Sequence, residues 1–535
     1  MRIALAQVNP KVGDLDANYN KAIELAQQAK EQGADLIIYS AHFMTGLPLG
    51  SIPSESEAFM DELHMRLDSF AAQVPIRALY SSLDILADDE GNRMVMPIPL
   101  IADGGENYTL ETLDMLAFED DAEDDEEGNF PVFNVDDHTC CVLVEGGFDI
   151  EGLPEKGLDL IVEMTADAVG EEEVSPFATG MSQRLKQIAQ SSGAFAVYAN
   201  LVGASDSMVF GGGSCVVDPF GRLVHSCSVS NEELFCFDTD GKMTQPEDEA
   251  QVRMGQMEYL WTMISTATRD YVKKNGFTDV LVGLSGGIDS AVVGTVAVDA
   301  LGAEHVHGVL MPGPYSSDGS VTDALELAKN LGIDTVTLSI NDPVASVHQQ
   351  LGEACGGAVE GLAAENLQAR MRMIYLMTIS NAKGWMLLNT GNKSEAAMGF
   401  STLYGDTNGS YAPIGNVYKT RVFELARWRA AQSPSIPEAI ILKPPSAELY
   451  PGAKDADRLP EYEELDGVLQ LLIEGGLSAT QIEMKGYPRE TINRVLRAVG
   501  RNGYKREQEP LGPHVEGIAF DQRDWPITCA WDGTL

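Results

Sequence analysis

The stretch LVGLSGGIDSAVV, from Leu281 to Val293, constrains the chain more than any other. Its first residues form a short apolar run of the kind that fills a buried strand, and Ser285-Gly286-Gly287-Ile288-Asp289-Ser290 then reads as a turn into a helix opening near Ser290. A strand that passes through a glycine turn into a helix is half of a crossover, and crossovers build parallel sheets. The turn converges backbone N–H groups and a helix N-terminus on one point, which makes a cradle for phosphate oxygens, and the glycines let the main chain come close. The lysine of G-x-x-x-x-G-K-[ST] is missing, so transfer of a terminal phosphoryl group is not the implied chemistry. An anion cradle with Asp289 beside it suits magnesium-bound pyrophosphate as a leaving group, with attack at an α-phosphate and an adenylate intermediate.

The chain around this turn is too long for one core, at 535 residues. From about 256 the pattern runs helix, strand DVLVGLS, helix SAVVGTVAVDALG, strand VHGVLMP, helix DALELAKNLG and strand DTVTLSI, which predicts a doubly wound parallel sheet over 256–535. Residues 1–238 alternate short apolar runs (RIALAQV, ADLIIYS, HTCCVLVEG, LDLIVEMT, AFAVYANLV) with helical periodicity, and predict a second α/β layered domain. Between them 239–255 is polar and lacks a core pattern, as a linker would. The net charge of -45 argues against nucleic acid and anionic membrane as partners. Seven cysteines without a paired framework, no signal-like segment and no long apolar run lead us to expect a cytoplasmic protein.

The turn resembles the loop of the N-type ATP pyrophosphatases. With MPGPYSSDGS, ENLQARMRMIYLM, NTGNKSEAAMGFSTLYGD, KPPSAEL and RNGYKREQEP following in order, 256–535 is similar to the synthetase domain of the glutamine-dependent NAD synthetase family. That likeness implies an adenine nucleotide alpha hydrolase-like fold. It also implies a two-step reaction, in which the nicotinate carboxylate of deamido-NAD attacks the α-phosphate of ATP and ammonia then displaces AMP from the acyl adenylate. By matching position, Gly283, Leu284, Ser285, Gly286, Gly287, Ile288, Asp289 and Ser290 would hold ATP, with Thr390 in contact. Asp289 and Glu395 would bind Mg2+, Asn366, Glu395 and Lys505 would lie near deamido-NAD, and Lys393 and Lys419 are cations that could steady the reacting phosphorus. The pattern departs from the family at Gly313-Pro314, where a polar pair is commoner, and at Gly415, where lysine is frequent. The family also implies a homo-oligomer.

The first half resembles the family's nitrilase-like amidase domain, through MRIALAQVNPKVGDLDANYNKAIELAQQAKEQGADLIIY and YANLVGASDSMVFGGGSCVVDPFGRL. A four-layer αββα sandwich is therefore implied. Such an amidase needs a glutamate base, a lysine for the oxyanion and a cysteine nucleophile. The matching positions here are Ala41 for the base, the neighbourhood of Ala102 for the lysine, and Val144 or Glu145 for the cysteine. No lysine occurs from Glu31 to Glu155, and Cys141 falls about three residues early, inside a strand. Asp167 and the run Glu171–Glu173 would repel a glutamine carboxylate, and the EDDAEDDEE segment at 119–127 adds acid near the same mouth. These residues predict nitrogen from free ammonia. The alternative is glutamine, used through a site rebuilt from His42, Cys141 and Glu145 or through a separate amidotransferase partner.

Overall fold

The computed structural model describes the chain except for 88–92, 111–130, 145–156, 170–179, 241–253, 353, 524 and 531–535. It forms two compact units, Met1–Val169 with Glu173–Gln256, and Met257–Leu535. Most of the expected linker, Glu145 and the acidic segments at 119–127 and 171–173 lie outside the described residues. No helix among the described residues is long and apolar enough to cross a membrane.

The first unit is built on two six-stranded sheets. Strands β1 (Arg2–Gln7), β2 (Leu36–Tyr39), β3 (Arg77–Ala87), β4 (Arg93–Asp103) and β5 (Glu106–Thr109) belong to the first sheet. The second sheet holds β6 (Val132–Val135), β7 (His138–Val144), β8 (Leu160–Met164) and β9 (Phe195–Ala199). A separate ribbon of β10 (Val202–Ser205) and β11 (Met208–Gly211) comes next, before β12 (Cys215–Val217) and β13 (Leu223–Ser226) complete the second sheet. The chain then crosses back, and β14 (Glu233–Asp238) pairs antiparallel with β1 at the edge of the first sheet.

Side-chain alternation along each strand separates three apolar layers. Ala4 and Ala6 of β1 face helices Leu15–Glu31 and Glu57–Gln73, whereas Ile3 and Leu5 face the second sheet. In β7, Val142 and Val144 point between the sheets, while Cys141 and Leu143 pack with Leu185, Ile188 and Ala189 of helix Gly180–Ser192. Helix, sheet, sheet, helix is the αββα sandwich expected for this half. The long β3–β4 hairpin and the strands after β9 were not foreseen individually from the sequence.

The second unit carries a parallel sheet in the order β17 (Asp334–Thr337), β16 (Val306–Leu310), β15 (Val280–Gly283), β18 (Met386–Leu388). β15 and β16 are buried on both faces because helices cover them, which explains their Val and Leu content. The chain leaves β15 to build outward through β16 and β17, then returns to add β18 on the other side. That reversal opens a crevice at the carboxyl ends of β15 and β18, where open α/β sheets place ligands. A helical cluster, centred on Tyr462–Ile473 and Arg489–Arg501, packs around Leu465, Val468, Leu469, Ile492 and Val495.

Candidate active site

The crevice holds a cavity of about 310 Å3. β15 ends at Gly283, one residue before the expected limit, and helix Ile288–Leu301 starts slightly early, with Gly287 as its extended N-cap. No side chain caps that helix, so its N-terminal polarity faces the cavity. The loop is locked by hydroxyls at its two ends: Ser285 Oγ lies 3.0 Å from Ser290 Oγ, and the Gly287 N–H donates to Ser285 Oγ at 3.2 Å. Gly286 has φ of +75°, and a Cβ there would meet the Ser320 carbonyl oxygen at 2.2 Å. Glycine is therefore required twice over at that position, by conformation and by space.

Beyond β18, Thr390 and Gly391 line the same cavity, and Asn392 caps helix Lys393–Met398 by accepting the Glu395 N–H at 3.1 Å. The Asn392 amide also donates to Asp289 Oδ1 at 3.0 Å, which ties this turn to the glycine turn. Lys419 opens helix Lys419–Gln432, and its Nζ reaches Asp289 Oδ2 at 2.5 Å and Glu395 Oε1 at 3.0 Å. Its backbone N–H is held by Ser394 Oγ at 2.9 Å, and Ser394 in turn donates to Asp466 at 2.5 Å. Burial pulls the Lys419 pKa down, but Asp289 and Glu395 outweigh it, so the ammonium is held above its ordinary value. Burial pushes the Glu395 carboxyl up, to about 7, against the opposing charge of Lys419.

The other expected residues divide. Gly283, Leu284, Ser285, Gly287, Ile288, Asp289, Ser290, Thr390, Glu395 and Lys419 line the cavity, with Gly286 in the same loop. Lys393 does not line it. Standing at the first position of its helix, it sends its stem the other way, and its fully buried Nζ pairs with Glu474 Oε1 at 2.6 Å over the Tyr418 ring. Asn366 and Lys505 also stand outside the lining: Asn366 Oδ1 accepts from Thr402 at 3.0 Å, and Lys505 Nζ donates to the Gly399 and Ser401 carbonyls at 2.7 Å each.

Several lining groups were not singled out from the sequence. Lys443, in the KPPSAEL motif, hydrogen bonds to Ser320 Oγ and lies 3.8 Å from Glu448. Asp455 accepts the Tyr462 hydroxyl at 2.9 Å, Arg372 is held at the Met311 carbonyl, and Glu509 is pushed up to about 7 by burial. Lys443 and Glu448 sit inside a quoted motif and could have been chosen; Asp455 carries no local pattern that marks it.

Asp289 and Glu395 offer hard carboxylate oxygens at the edge of an anion cradle. Mg2+ takes that donor set, one or two carboxylates supplemented by substrate phosphates, so the residues present fit the ion.

In the first unit, Ala41 follows β2 and is fully buried, Ala102 lies within β4 opposite Ala78, and Val144 ends β7. Burial raises the Cys141 thiol to about 12, the behaviour of a structural thiol.

The family model described as NAD synthase matches residues 260–509. A glutamine-dependent NAD(+) synthetase of Thermotoga maritima is 34% identical over 99% of this chain and 98% of its own length. One from Synechocystis is 36% identical over 97% and 96%. Among solved structures, the glutamine-dependent NAD+ synthetase of Acinetobacter baumannii in complex with ADP superposes with a TM-score of 0.71 at 33% identity, covering 100% of this chain and 99% of that one. The Cytophaga hutchinsonii glutamine-dependent NAD(+) synthetase shares the fold at a TM-score of 0.81 and 18% identity, over 99% and 98%. Likeness of this extent, along the whole length, places the chain in the glutamine-dependent NAD(+) synthetase family, as an ATP-dependent ligase that forms NAD.

Proposed function

We propose that the second unit adenylates deamido-NAD in the crevice between β15 and β18 and that ammonia then displaces AMP to leave NAD. The observation that carries this reading is the convergence of the glycine turn, Asp289, Glu395 and the Lys419 ammonium on one cavity. ATP phosphates would take the N–H groups and helix N-terminus of 285–290, with Thr390 beside them. As the nicotinate carboxylate oxygen bonds to the α-phosphorus, the bond to pyrophosphate breaks and negative charge grows on the leaving oxygens. Lys419, fixed through Ser394, offers a pre-placed positive charge for that step. Mg2+ held by Asp289 and Glu395 would supply charge neutralisation of the departing pyrophosphate. Ammonia then attacks the acyl carbon, AMP leaves with the bonding pair, and a proton is lost from nitrogen. Lys393, paired with Glu474, fits a positioning role behind the turn better than contact with the phosphates. Asn366 and Lys505 flank the Phe400–Asp406 wall through Thr402, Gly399 and Ser401, consistent with a part in shaping the dinucleotide site.

The nitrogen source has two readings. The geometry of the first unit supports free ammonia: Ala41 cannot accept a proton, and Cys141 packs on the helix side of its sheet while Ala41, Val144 and Met164 share the layer between sheets. Glutamine is favoured by a different observation, since the full-length relatives are named glutamine-dependent. The experiment gives ammonia-free enzyme ATP, deamido-NAD and amide-labelled glutamine, beside a second sample with an ammonium salt. NAD from ammonium without glutamate release from glutamine supports the ammonia reading. Labelled NAD with stoichiometric glutamate overturns it and makes His42, Cys141 and the residue at 145 the first to mutate.

A further inference from the structure

At the edge of the first unit, where the chain crosses from one sheet to the other, three side chains of different chemistry meet. His225 lies on β13 of the second sheet, Cys227 follows it, and Glu233 opens β14 of the first sheet. Their ligand-capable atoms, one imidazole nitrogen, one sulfur and one carboxylate oxygen, all lie within 4.8 Å of one another. His225 Nε2 is 2.6 Å from Glu233 Oε1. Cys227 is buried and belongs to the apolar layer between the sheets, whereas the Glu233 side chain keeps 32% of its surface. The cluster therefore has a dry side that carries the sulfur and a wet side from which an ion and a water can enter.

The groups behind these three also fix their directions. The His225 ring stacks on Phe235 with centroids 3.8 Å apart and planes 15° from parallel. Glu233 Oε2 accepts the Ser228 N–H at 3.0 Å, leaving Oε1 turned toward the imidazole. The Cys227 backbone is pinned by its N–H donating to the Ser214 carbonyl at 2.8 Å. Such outer contacts orient ligands in metal sites.

We infer that His225, Cys227 and Glu233 form a site for a zinc-class divalent cation that clips the crossover between the two sheets. The ligand set selects the metal: thiolate with imidazole disfavours Mg2+ and Ca2+, and imidazole, thiolate and carboxylate are the donors that Zn2+ accepts. Bonds of about 2.0–2.3 Å to a tetrahedral ion put ligand atoms roughly 3.3–3.7 Å apart. The His225–Glu233 contact must therefore open by about 1 Å while the Cys227 sulfur closes in. Water takes the fourth position on the side of Glu233. The site is separate from the nucleotide chemistry and is a structural clasp within the first unit.

The test uses the full chain, stripped with a chelator and then titrated with Zn2+ against a chromophoric competitor, and in parallel with Co2+. One equivalent should bind with a Kd below about 1 μM. Co2+ should give both tetrahedral visible bands and a near-ultraviolet sulfur-to-metal band. Cys227→Ser should remove the sulfur band and weaken Zn2+ at least ~100-fold, and Zn2+ should raise the Tm of the parent chain but not of that variant. Because Cys355 and Cys529 are exposed, the same titration is run on Cys355→Ser/Cys529→Ser, which should bind as the parent does. Binding that survives Cys227→Ser, or disappears with Cys355 and Cys529, overturns the site, as does a parent chain with no Zn2+-dependent Tm shift. If Cys227→Ser fails to fold, Glu233→Gln on the wetter side and the Co2+ spectrum of the parent decide: visible bands without a sulfur band refute it.

Discussion

Replacing Lys419 with methionine tests the central electrostatic arrangement most directly. The Lys419 side chain is 2% exposed and its ammonium contacts two carboxylates, Asp289 and Glu395, each with 20% of its side-chain surface accessible. Removing one partner of a buried ion pair costs about 3–5 kcal/mol, because the remaining charge is left without compensation. Two carboxylates are stranded here, but water reaches both, so the lower end, about 3 kcal/mol, is the reasonable figure for Lys419→Met. At roughly 2–4 °C per kcal/mol for a domain of this size, the transition of the second unit should fall by about 6–12 °C in chelator. Mg2+ should then matter more for the variant than for the parent, since a divalent ion can stand where the ammonium stood. At about a hundred times its Kd an ion returns about 2.7 kcal/mol, nearly the whole loss. Differential scanning calorimetry of both chains, with chelator and across a Mg2+ series, reads both effects. A variant that melts with the parent in chelator, or that gains no more than the parent from Mg2+, would falsify the placement of Lys419 as counter-charge to these two acids.

Asp289→Asn and Glu395→Gln should each lower deamido-NAD-dependent ATP–pyrophosphate exchange at least ~100-fold, the scale on which a placed transition-state charge is lost, and near-normal exchange would sink their proposed roles. Glu395 must be ionised to take a cation and its carboxyl is raised to about 7, so the apparent affinity for Mg2+ should improve as pH rises through about 7 and weaken below it; a flat profile from mildly acidic to mildly alkaline pH would contradict this. Gly286→Ala forces a Cβ into the Ser320 carbonyl at a left-handed φ, and the KM for ATP should rise well before the protein destabilises, whereas unchanged kinetics would show the close approach to be unimportant. A chain of net charge -45 repels itself, so its Tm should climb between low and high NaCl as the Debye length drops from about 30 Å at 0.01 M to about 3 Å at 1 M; a salt-independent Tm would mean the acids are locally compensated.

The sequence made the glycine turn legible because everything it needs is contiguous: the strand, the glycines, Asp289 and the hydroxyls at 285 and 290 follow one another directly. It said less about which cation serves the site. Lys393 and Lys419 look alike in the sequence, each beginning a helix after a polar turn, and only the direction of each stem separates them. One enters the cavity, and the other runs to Glu474, some eighty positions away. Asp455 was invisible for the same reason, since its place depends on Tyr462 and on the packing of the helical cluster. In the first half, the buried strands β1, β2, β7, β8 and β9 were readable from their apolar runs. β13 and β14 were not, because they mix polar with apolar residues and are only partly buried, and with them went any view of His225 meeting Glu233.

The packing of Ala41 sets a condition on placing a carboxylate at that position. Its methyl group is sealed in the apolar layer that also holds Leu79, Ile101, Val144 and Met164, with no surface left to solvent. A glutamate written into that position would carry its charge into a space shaped for a methyl, among the apolar side chains of that layer, and it would either stay protonated or push the sheets apart. Neighbouring side chains must first be pared back to admit solvent, so the order in which substitutions are made decides whether any intermediate protein folds. Ala41→Glu on its own would therefore not install a working base, because the packing around the alanine has to change with it.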